Sequence, residues 1–365
     1  MKHRAIPLLL VTFLLLLAGA ARAQKPEGMA VHFINVGQAE SILLEFKTAA
    51  ILIDAGGEDT GNRRDLNRIV GYLNRFFKGR PDLNRTLYSV IISHPHIDHT
   101  RNIMALFYKK NKFRVLNLVD GGHKGDSIGL RPLNRARSAV KAMNILYNVI
   151  EDKEIGRQGY TTPHLGKLLT SGSEADVRFL AGSRGCENEN NDSLVVRVEY
   201  KEATFLFVGD AEAHNDDTCT AEVTELVEFY RGTNLLDVNL YKVGHHCSHN
   251  GTSDALMRAM TPEISIISAG DLKTRTPGDF HAFHFGHPRE EALLRLLEFT
   301  TGKRPQKNVY AMNAAGVPPP KSKKPPGKPI FRDITEAVFC TCWDGNVVVS
   351  TDAGGRLLPP QTSGL

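Results

Sequence analysis

The chain has 365 residues, of which 41% are hydrophobic and 23% charged, with 32 Gly, 18 Pro and a formal charge of +5. That composition excludes collagen-like, coiled-coil and largely disordered chains, and the length leaves room for one large α/β domain or two small ones.

Residues 1–23 read as a separate unit. Lys2 and Arg4 precede an apolar run from Leu8 to Ala18, and Ala21-Arg22-Ala23 follows. A charged start, a short apolar stretch and an A-x-A site describe a secretory signal peptide. The other reading, an uncleaved anchor, is disfavoured because the run is shorter than the about 20 residues a membrane span requires. The mature chain is then expected to start near Gln24, without a membrane span, in the periplasm or outside the cell. Loss of Lys2, Arg4 and Arg22 lowers the formal charge from +5 to +2. A nearly neutral chain gives no support for strong nucleic-acid binding, although a local basic patch stays compatible with it.

Three short strands open the mature chain at Val31–Val36, Ile42–Phe46 and Ala50–Ile53. A helix is predicted over Arg63–Lys78, where Leu66, Ile69, Val70, Leu73, Phe76 and Phe77 share a face. Leu87–Ile92 reads as a buried strand, Arg101–Lys110 as a helix, Val115–Val119 as a strand and Asn134–Ile150 as a helix. The alternation restarts with strands at Val177–Leu180, Leu194–Tyr200 and Thr204–Val208, a helix at Ala221–Tyr230 and a strand at Val238–Val243. A helix at Ser253–Met260, a strand at Ile264–Ser268 and a helix at Arg289–Phe299 follow. Pro318–Pro329 is rich in Pro and Lys and reads as a solvated loop, or alternatively as a contact for an anionic partner. Ala337–Thr341 and Val347–Ser350 flank Asp344-Gly345-Asn346, a hairpin signal. Two similar halves suggest two sheets packed together with helices outside. Five cysteines (Cys186, Cys219, Cys247, Cys340, Cys342) allow one or two bridges in an oxidising compartment and leave at least one thiol.

The segment Ser93-His94-Pro95-His96-Ile97-Asp98-His99 follows a buried strand, where a sheet exposes its functional end. His94 and His96, two apart in extended backbone, can face one metal, and Asp98 and His99 on the next turn can hold a second. Histidine with carboxylate suits Zn²⁺, with Mn²⁺ or Fe²⁺ as alternatives. A second strand ends in Gly209-Asp210, whose carboxylate can bridge two cations, and a third ends in Gly244-His245-His246-Cys247-Ser248. His245, the first polar side chain off that strand, is taken as the remaining ligand, which leaves His246 and Ser248 to face a substrate.

These elements resemble the metallo-β-lactamase superfamily: HxHxDH, then a strand ending in Gly-Asp, then one ending in His-His-x-Ser. More narrowly, VHFINVGQAES (Val31–Ser41), ILIDAGG (Ile51–Gly57), NDSLVVRVEY (Asn191–Tyr200), GHP (Gly286–Pro288) and DGNVVVSTDAG (Asp344–Gly354) resemble the extracellular hydrolase domain of bacterial competence DNA-channel (ComEC-like) proteins and free-standing relatives. The resemblance implies one metallo-hydrolase domain over 24–365, of class α/β. Its fold would be a four-layer αβ/βα sandwich of two mixed sheets with helices on the outer faces. It implies two divalent ions on His94, His96, Asp98, His99, Asp210 and His245, with Asp98 and His246 acting in catalysis. Asp54 is similar to the family's carboxylate that orients a ligand histidine, the alternative being a turn cap. His287 would line the pocket, whereas His281 and His284 read equally as a surface loop.

Three departures stand out. A further histidine common in the superfamily has only His123 and His164 as candidates, and Asn191 in Asn191-Asp192-Ser193 is a candidate to reach that position instead. Cys247 replaces a usual Gly, which strains the turn if φ is positive there. Arg101-Asn102 replaces a common Gly-Gly. The expected activity is hydrolysis of a small or polymeric ester, a phosphodiester foremost, through a water activated by the metal pair. The alternatives are a lactonase or β-lactamase of the same fold, or a secreted binding protein without catalysis.

Overall fold

The computed structural model describes residues 27–58, 64–215, 217–271, 285–314 and 327–364. The expected leader, His281, His284 and most of the Pro/Lys-rich stretch lie outside them. In the first half, strands β1 (Ala30–Phe33), β2 (Ile42–Glu45) and β3 (Ala50–Ile53) lead to helix α1 (Arg64–Gly79), β4 (Thr86–Leu87), β5 (Ser89–Ile91) and α2 (Ile97–Thr100). Then come β6 (Arg114–Val115), β7 (Asn117–Asp120), α3 (Leu130–Ala142), β8 (Leu146–Val149) and α4 (Pro163–Gly166). The second half holds β9 (Ala175–Ala181), β10 (Val195–Tyr200), β11 (Ala203–Phe207), α5 (Glu222–Phe229), β12 (Leu240–Lys242), α6 (Asp254–Met260) and β13 (Ile264–Ile267). It closes with α7 (Glu290–Phe299), β14 (Lys303–Ala314), β15 (Gly327–Glu336), β16 (Val338–Cys340), α8 (Thr341–Asp344), β17 (Val347–Ser350) and β18 (Gln361–Thr362).

The strands form an eight-stranded sheet, β18-β17-β1-β2-β3-β5-β7-β8, and a six-stranded one, β16-β13-β12-β11-β10-β9. Alternation of side chains along each strand builds three cores at once. Ile42 and Leu44, Ile51 and Ile53, Val196 and Val198, and Phe205 and Phe207 point between the sheets. Leu43 and Leu52 point outward onto Ile69, Leu73 and Phe77 of α1 and Leu133 and Val140 of α3. Leu206 and Tyr241 point outward onto Leu226, Leu256, Met260 and Leu296 of α5, α6 and α7. Strands buried on both faces read as continuous apolar runs. The result is the helix–sheet–sheet–helix sandwich expected from the sequence.

Four expectations change. The helix predicted over Asn134–Ile150 starts earlier, at Leu130, and stops at Ala142, because Asn144 takes a positive φ of 53°. Leu146–Val149 is instead an edge strand parallel to β7, and Met143 (49%) and Leu146 (44%) are exposed where a helical stripe would have buried them. The helix predicted over Arg101–Lys110 is two short 3₁₀ turns, Ile103–Leu106 and Lys109–Asn111. The hairpin predicted at Asp344-Gly345-Asn346 is a crossover: β16 runs parallel to β13 in one sheet, and β17 pairs with β1 in the other. Asp344 accepts from Arg304, Lys307 and the Cys340 amide, so it anchors the crossing. The hairpin that does form, β14–β15, went unpredicted because its polar residues show no clean alternation; the end of the Pro/Lys-rich stretch starts β15.

Disulfides join Cys186 to Cys219 and Cys340 to Cys342, leaving Cys247 as a buried thiol. The first closes a loop over a sequence separation of 33. Chain-entropy reasoning puts its contribution at about 4 kcal/mol. The Cys186→Ala/Cys219→Ala variant is expected to lose about that much in urea unfolding; a loss below about 1 kcal/mol would contradict a cross-linking role.

Candidate metal centre

Parallel strands of both sheets end at one place, the position where open α/β sheets present their chemistry. β3 and β5 are parallel neighbours, so Asp54 and His94 leave the first sheet side by side. β11 and β12 are parallel neighbours in the second and deliver Asp210 and His246. Close backbone approach seats the α2 turn. A Cβ on Gly56 would lie 1.6 Å from the Asp98 carbonyl oxygen, and one on Gly129 would lie 1.9 Å from that of Pro95. The Glu40 amide donates to the Asp98 carbonyl and the Ala55 amide to that of His99. Asn102, in place of a common Gly, donates its side-chain amide to the Gly56 carbonyl at 2.8 Å and its backbone N–H to that of Ala55.

Asp98, His99, Asp210 and His246 each offer a donor atom, all within 4.8 Å of one another, and all four residues are buried. Asp210 Oδ2 lies 3.2 Å from Nε2 of both His99 and His246, and Asp98 Oδ2 lies 3.3 Å from His246 Nε2. The far nitrogens are pinned: His99 Nδ1 to Asp54 Oδ2 at 2.7 Å and His246 Nδ1 to the Ser268 carbonyl at 2.7 Å. Asp54, at φ 58°, also accepts from the Ser93 amide and hydroxyl. His94 and His96 flank the group, with ring centroids 4.7 Å apart and His94 4.1 Å from His99. Nε2 of buried His94 has no hydrogen-bond partner, and Nε2 of His99 and His246 face only carboxylate oxygens at 3.2–3.3 Å, an arrangement of donors that a cation satisfies. The donor set therefore fits a divalent metal.

Electrostatics agree. Burial opposes charge on His246, but Asp210 and Asp98 outweigh it and push the imidazole up to about 10. His99 is likewise raised, burial being outweighed by Asp210 and Asp54. Burial would raise the Asp210 carboxyl, yet His246 and His99 hold it well below the usual range. His94 is pushed well down, by burial first and then by His99 and His96. Behind the group lie two residues that sequence reasoning missed, Glu40 and Lys242. Glu40, Asp54 and His99 form a second set of donors within 4.8 Å, but there the ammonium of Lys242 already meets the Glu40 carboxylate. Burial opposes the Lys242 charge, and Glu40 and Asp210 more than restore it, raising its pKa. The signal available in sequence was an acid and a lysine inside otherwise apolar segments.

The two adjacent histidines exchange places relative to expectation. His245, His246 and Cys247 all have positive φ (46°, 52° and 65°). "First side chain off the strand" assumes extended backbone; three left-handed residues coil the chain and swing His246 inward instead. His245 turns to Glu212, its Nδ1 3.2 Å from Oε1, and that carboxylate also accepts from Asn188 and Asn190. Cys247 thus sits in the conformation that glycine tolerates best, at a strain cost of about 1 kcal/mol or more. His287 accepts from Gln38 Nε2 at 3.0 Å, and its ring lies 5.6 Å from His245 and 6.1 Å from His246. Ser248 faces His249 rather than the cluster, with its hydroxyl 3.4 Å from Nδ1. Asn191 does not reach the cluster: its amide donates to the His214 carbonyl and its oxygen accepts from the Glu222 amide. Ser193, two residues on, accepts from the Asp210 amide at 3.1 Å. His164 stacks on Tyr88. His123 lies 3.1 Å from Asp192 in an open cleft of about 650 Å³ that also receives Lys124, Lys153, Arg184 and Glu189. Glu189 pairs with His96 at 3.3 Å, so the cleft adjoins the cluster.

Residues 34–271 match the sequence model of the metallo-beta-lactamase superfamily. Over 82 residues, 22% of the chain, the sequence is 34% identical to Recombination protein 2 of Haemophilus influenzae, of which the match spans only 9%. Among solved structures, the metallo-beta-lactamase fold protein YhfI from Bacillus subtilis is similar at 12% identity and a TM-score of 0.44, over 75% of this chain and 94% of that one. A diphosphatase of the PhnP family is similar at 10% identity and a TM-score of 0.35, over 65% and 85%.

The imidazolium pairing has a pH signature. Unfolded histidine titrates near about 6.5, so the raised His246 value stabilises the metal-free fold fully below that pH, and the contribution is lost as pH rises through about 10. Asp98 and Asp210 stay ionised across that window and add no slope. The thermal midpoint of chelator-treated protein is expected to fall between neutral pH and about 10. Zn²⁺ should abolish the trend, because a ligated nitrogen carries no proton. A flat midpoint in the metal-free protein would contradict the pairing.

Proposed function

The chain belongs to the metallo-beta-lactamase superfamily, and we propose that it acts as an exported metal-dependent hydrolase of phosphoesters, phosphodiesters foremost. One observation carries the reading: donor atoms of Asp98, His99, Asp210 and His246 converge within 4.8 Å. Those four residues would hold one divalent ion, and His94 with His96 would contribute to holding a second. Zn²⁺ is the first choice, and Mn²⁺ or Fe²⁺ are the alternatives. When bound, such ions supply Lewis acidity, activating a water and neutralising charge that develops on the phosphoryl oxygens.

The chain's own groups do the rest. Asp54 and the Ser268 carbonyl fix the tautomers of His99 and His246, so that each turns Nε2 to the centre. His245, steadied by Glu212, and His287, steadied by Gln38, border the same space and can hydrogen-bond a substrate oxygen. One feature favours a phosphoester over a lactam or lactone. The donor set includes two carboxylates, which suit ions that take phosphoryl oxygen. The adjoining cleft is mixed in charge, with Lys124, Lys153 and Arg184 standing among Glu151, Asp152, Glu187, Glu189 and Asp192, so it adds no preference for an anionic substrate. The short likeness to a protein named for recombination makes DNA one candidate, and phosphorylated envelope polymers are another. Two disulfides suit an oxidising compartment, and no helix among the described residues is long and apolar enough to cross a membrane.

Purified mature protein is expected to contain about two transition-metal ions per chain and to hydrolyse bis-p-nitrophenyl phosphate until chelated. Asp210→Ala should lower that turnover by more than the about 10–100-fold typical of residues one shell further out. Bound metal with turnover of lactones or β-lactams alone would transfer the assignment to those substrates. Bound metal with no turnover of any ester would favour a binding protein. Metal analysis also separates the paired histidines: His246→Ala should lose metal while His245→Ala retains it, and the reverse result would restore the assignment drawn from sequence.

A further inference from the structure

Lys242 is fully buried at the end of β12, next to Phe207 of β11 in the parallel register. Its Nζ donates to the Gly209 carbonyl at 2.7 Å, meets the Glu40 carboxylate directly and lies 3.6 Å from Asp210 Oδ1. One cation thus holds the backbone of the Gly209-Asp210 turn by a hydrogen bond and faces its side chain in an ion-pair contact that is too long to be one. The same carboxylate is divided between two environments: Oδ1 faces the ammonium, and Oδ2 faces Nε2 of His99 and His246. Glu40 is tied into the opposite sheet's loops, its amide donating to the Asp98 carbonyl and its own carbonyl accepting from Gly56. The Glu40–Lys242 pair therefore spans the two sheets directly behind the cluster.

We propose that Lys242 is the positioning residue of this centre, fixing the Gly209-Asp210 turn by its hydrogen bond to the Gly209 carbonyl and drawing Oδ1 of Asp210 toward its charge, so that Oδ2 is turned to the metal site. The inference rests on the reading of the cluster as a metal centre. A carboxylate free of the ammonium's field could rotate; placed between Lys242 on one side and His99 and His246 on the other, it would offer Oδ2 to the metal site. Glu40 balances the charge of the ammonium, while the Gly209 carbonyl fixes the position of Nζ. The competing role is a plain counter-ion, in which Lys242 serves only to neutralise Glu40.

Neutralising both partners together separates the roles. Glu40→Gln/Lys242→Met removes the buried pair without leaving a lone charge at Glu40, so a counter-ion role predicts unchanged metal binding in the folded variant. Positioning predicts a Zn²⁺ affinity, read by competition with a chromophoric chelator, that falls roughly 10–100-fold. It also predicts an altered visible spectrum of the Co²⁺ form, while Glu40→Gln alone stays near wild type because Lys242 still binds the Gly209 carbonyl. Glu40→Gln/Lys242→Gln, which keeps a donor for the Gly209 carbonyl, is the second variant should the first not fold. The proposal is overturned by wild-type affinity and spectrum in a folded double variant, or by Glu40→Gln alone losing as much as the pair. Failure of both double variants to fold also overturns it, by making Lys242 a folding element. Absence of metal binding by wild-type protein in the same assay removes the functional reading itself, an outcome distinct from the others.

Discussion

The chain Asp54–His99–Asp210 is the constraint around which the centre is arranged. Three ionisable groups in hydrogen-bond or ion-pair contact are buried where the two sheets meet. Burying charge is tolerated only when every group has an opposite partner or a ligand to satisfy it. Each neighbour answers that demand: Ser93 completes Asp54, His246 shares Asp210 with His99, and Lys242 balances Glu40 and Asp210. Much of what looks like active-site machinery is also what allows so many carboxylates to be enclosed at all.

Topology supplies the meeting point. Side chains from β3 and β5 in one sheet and from β11 and β12 in the other arrive at the carboxyl ends of parallel pairs. The intervening loops are drawn in by backbone contact, with Gly56 against Asp98 and Gly209, at φ 53°, against Ser93 and Ser193. The strand framework is rigid and double-faced, whereas the turn at His245–Cys247 is held in a conformation that its residues do not favour. Three consecutive left-handed residues thereby place strain in the loop that carries a ligand candidate.

Most of the architecture was legible because buried strands announce themselves as short apolar runs and HxHxDH has a fixed offset. What escaped had physical reasons. The β8 edge strand carries Leu146 and Tyr147 on a surface, so its apolar residues imitate a helical stripe. The Asp344-Gly345-Asn346 turn has hairpin chemistry, but Arg304 and Lys307 recruit its carboxylate and send the chain to the other sheet. At the site, the order of ligand types could be read, but the choice between His245 and His246 depends on three consecutive φ values that no local pattern encodes. Glu40 and Lys242 escaped because neither belongs to a ligand motif; their partnership exists only after two sheets, far apart in sequence, have been stacked.

Cys247 is enclosed without any contact with solvent, and burial pushes its thiol pKa far up. A hidden, protonated sulfur is a poor nucleophile toward disulfides. In a compartment that oxidises thiols, an odd cysteine is a hazard only while the chain is still unfolded. Once the sheets close, the remaining four are committed in pairs, and crosslinks through the fifth are confined to the time before folding is complete.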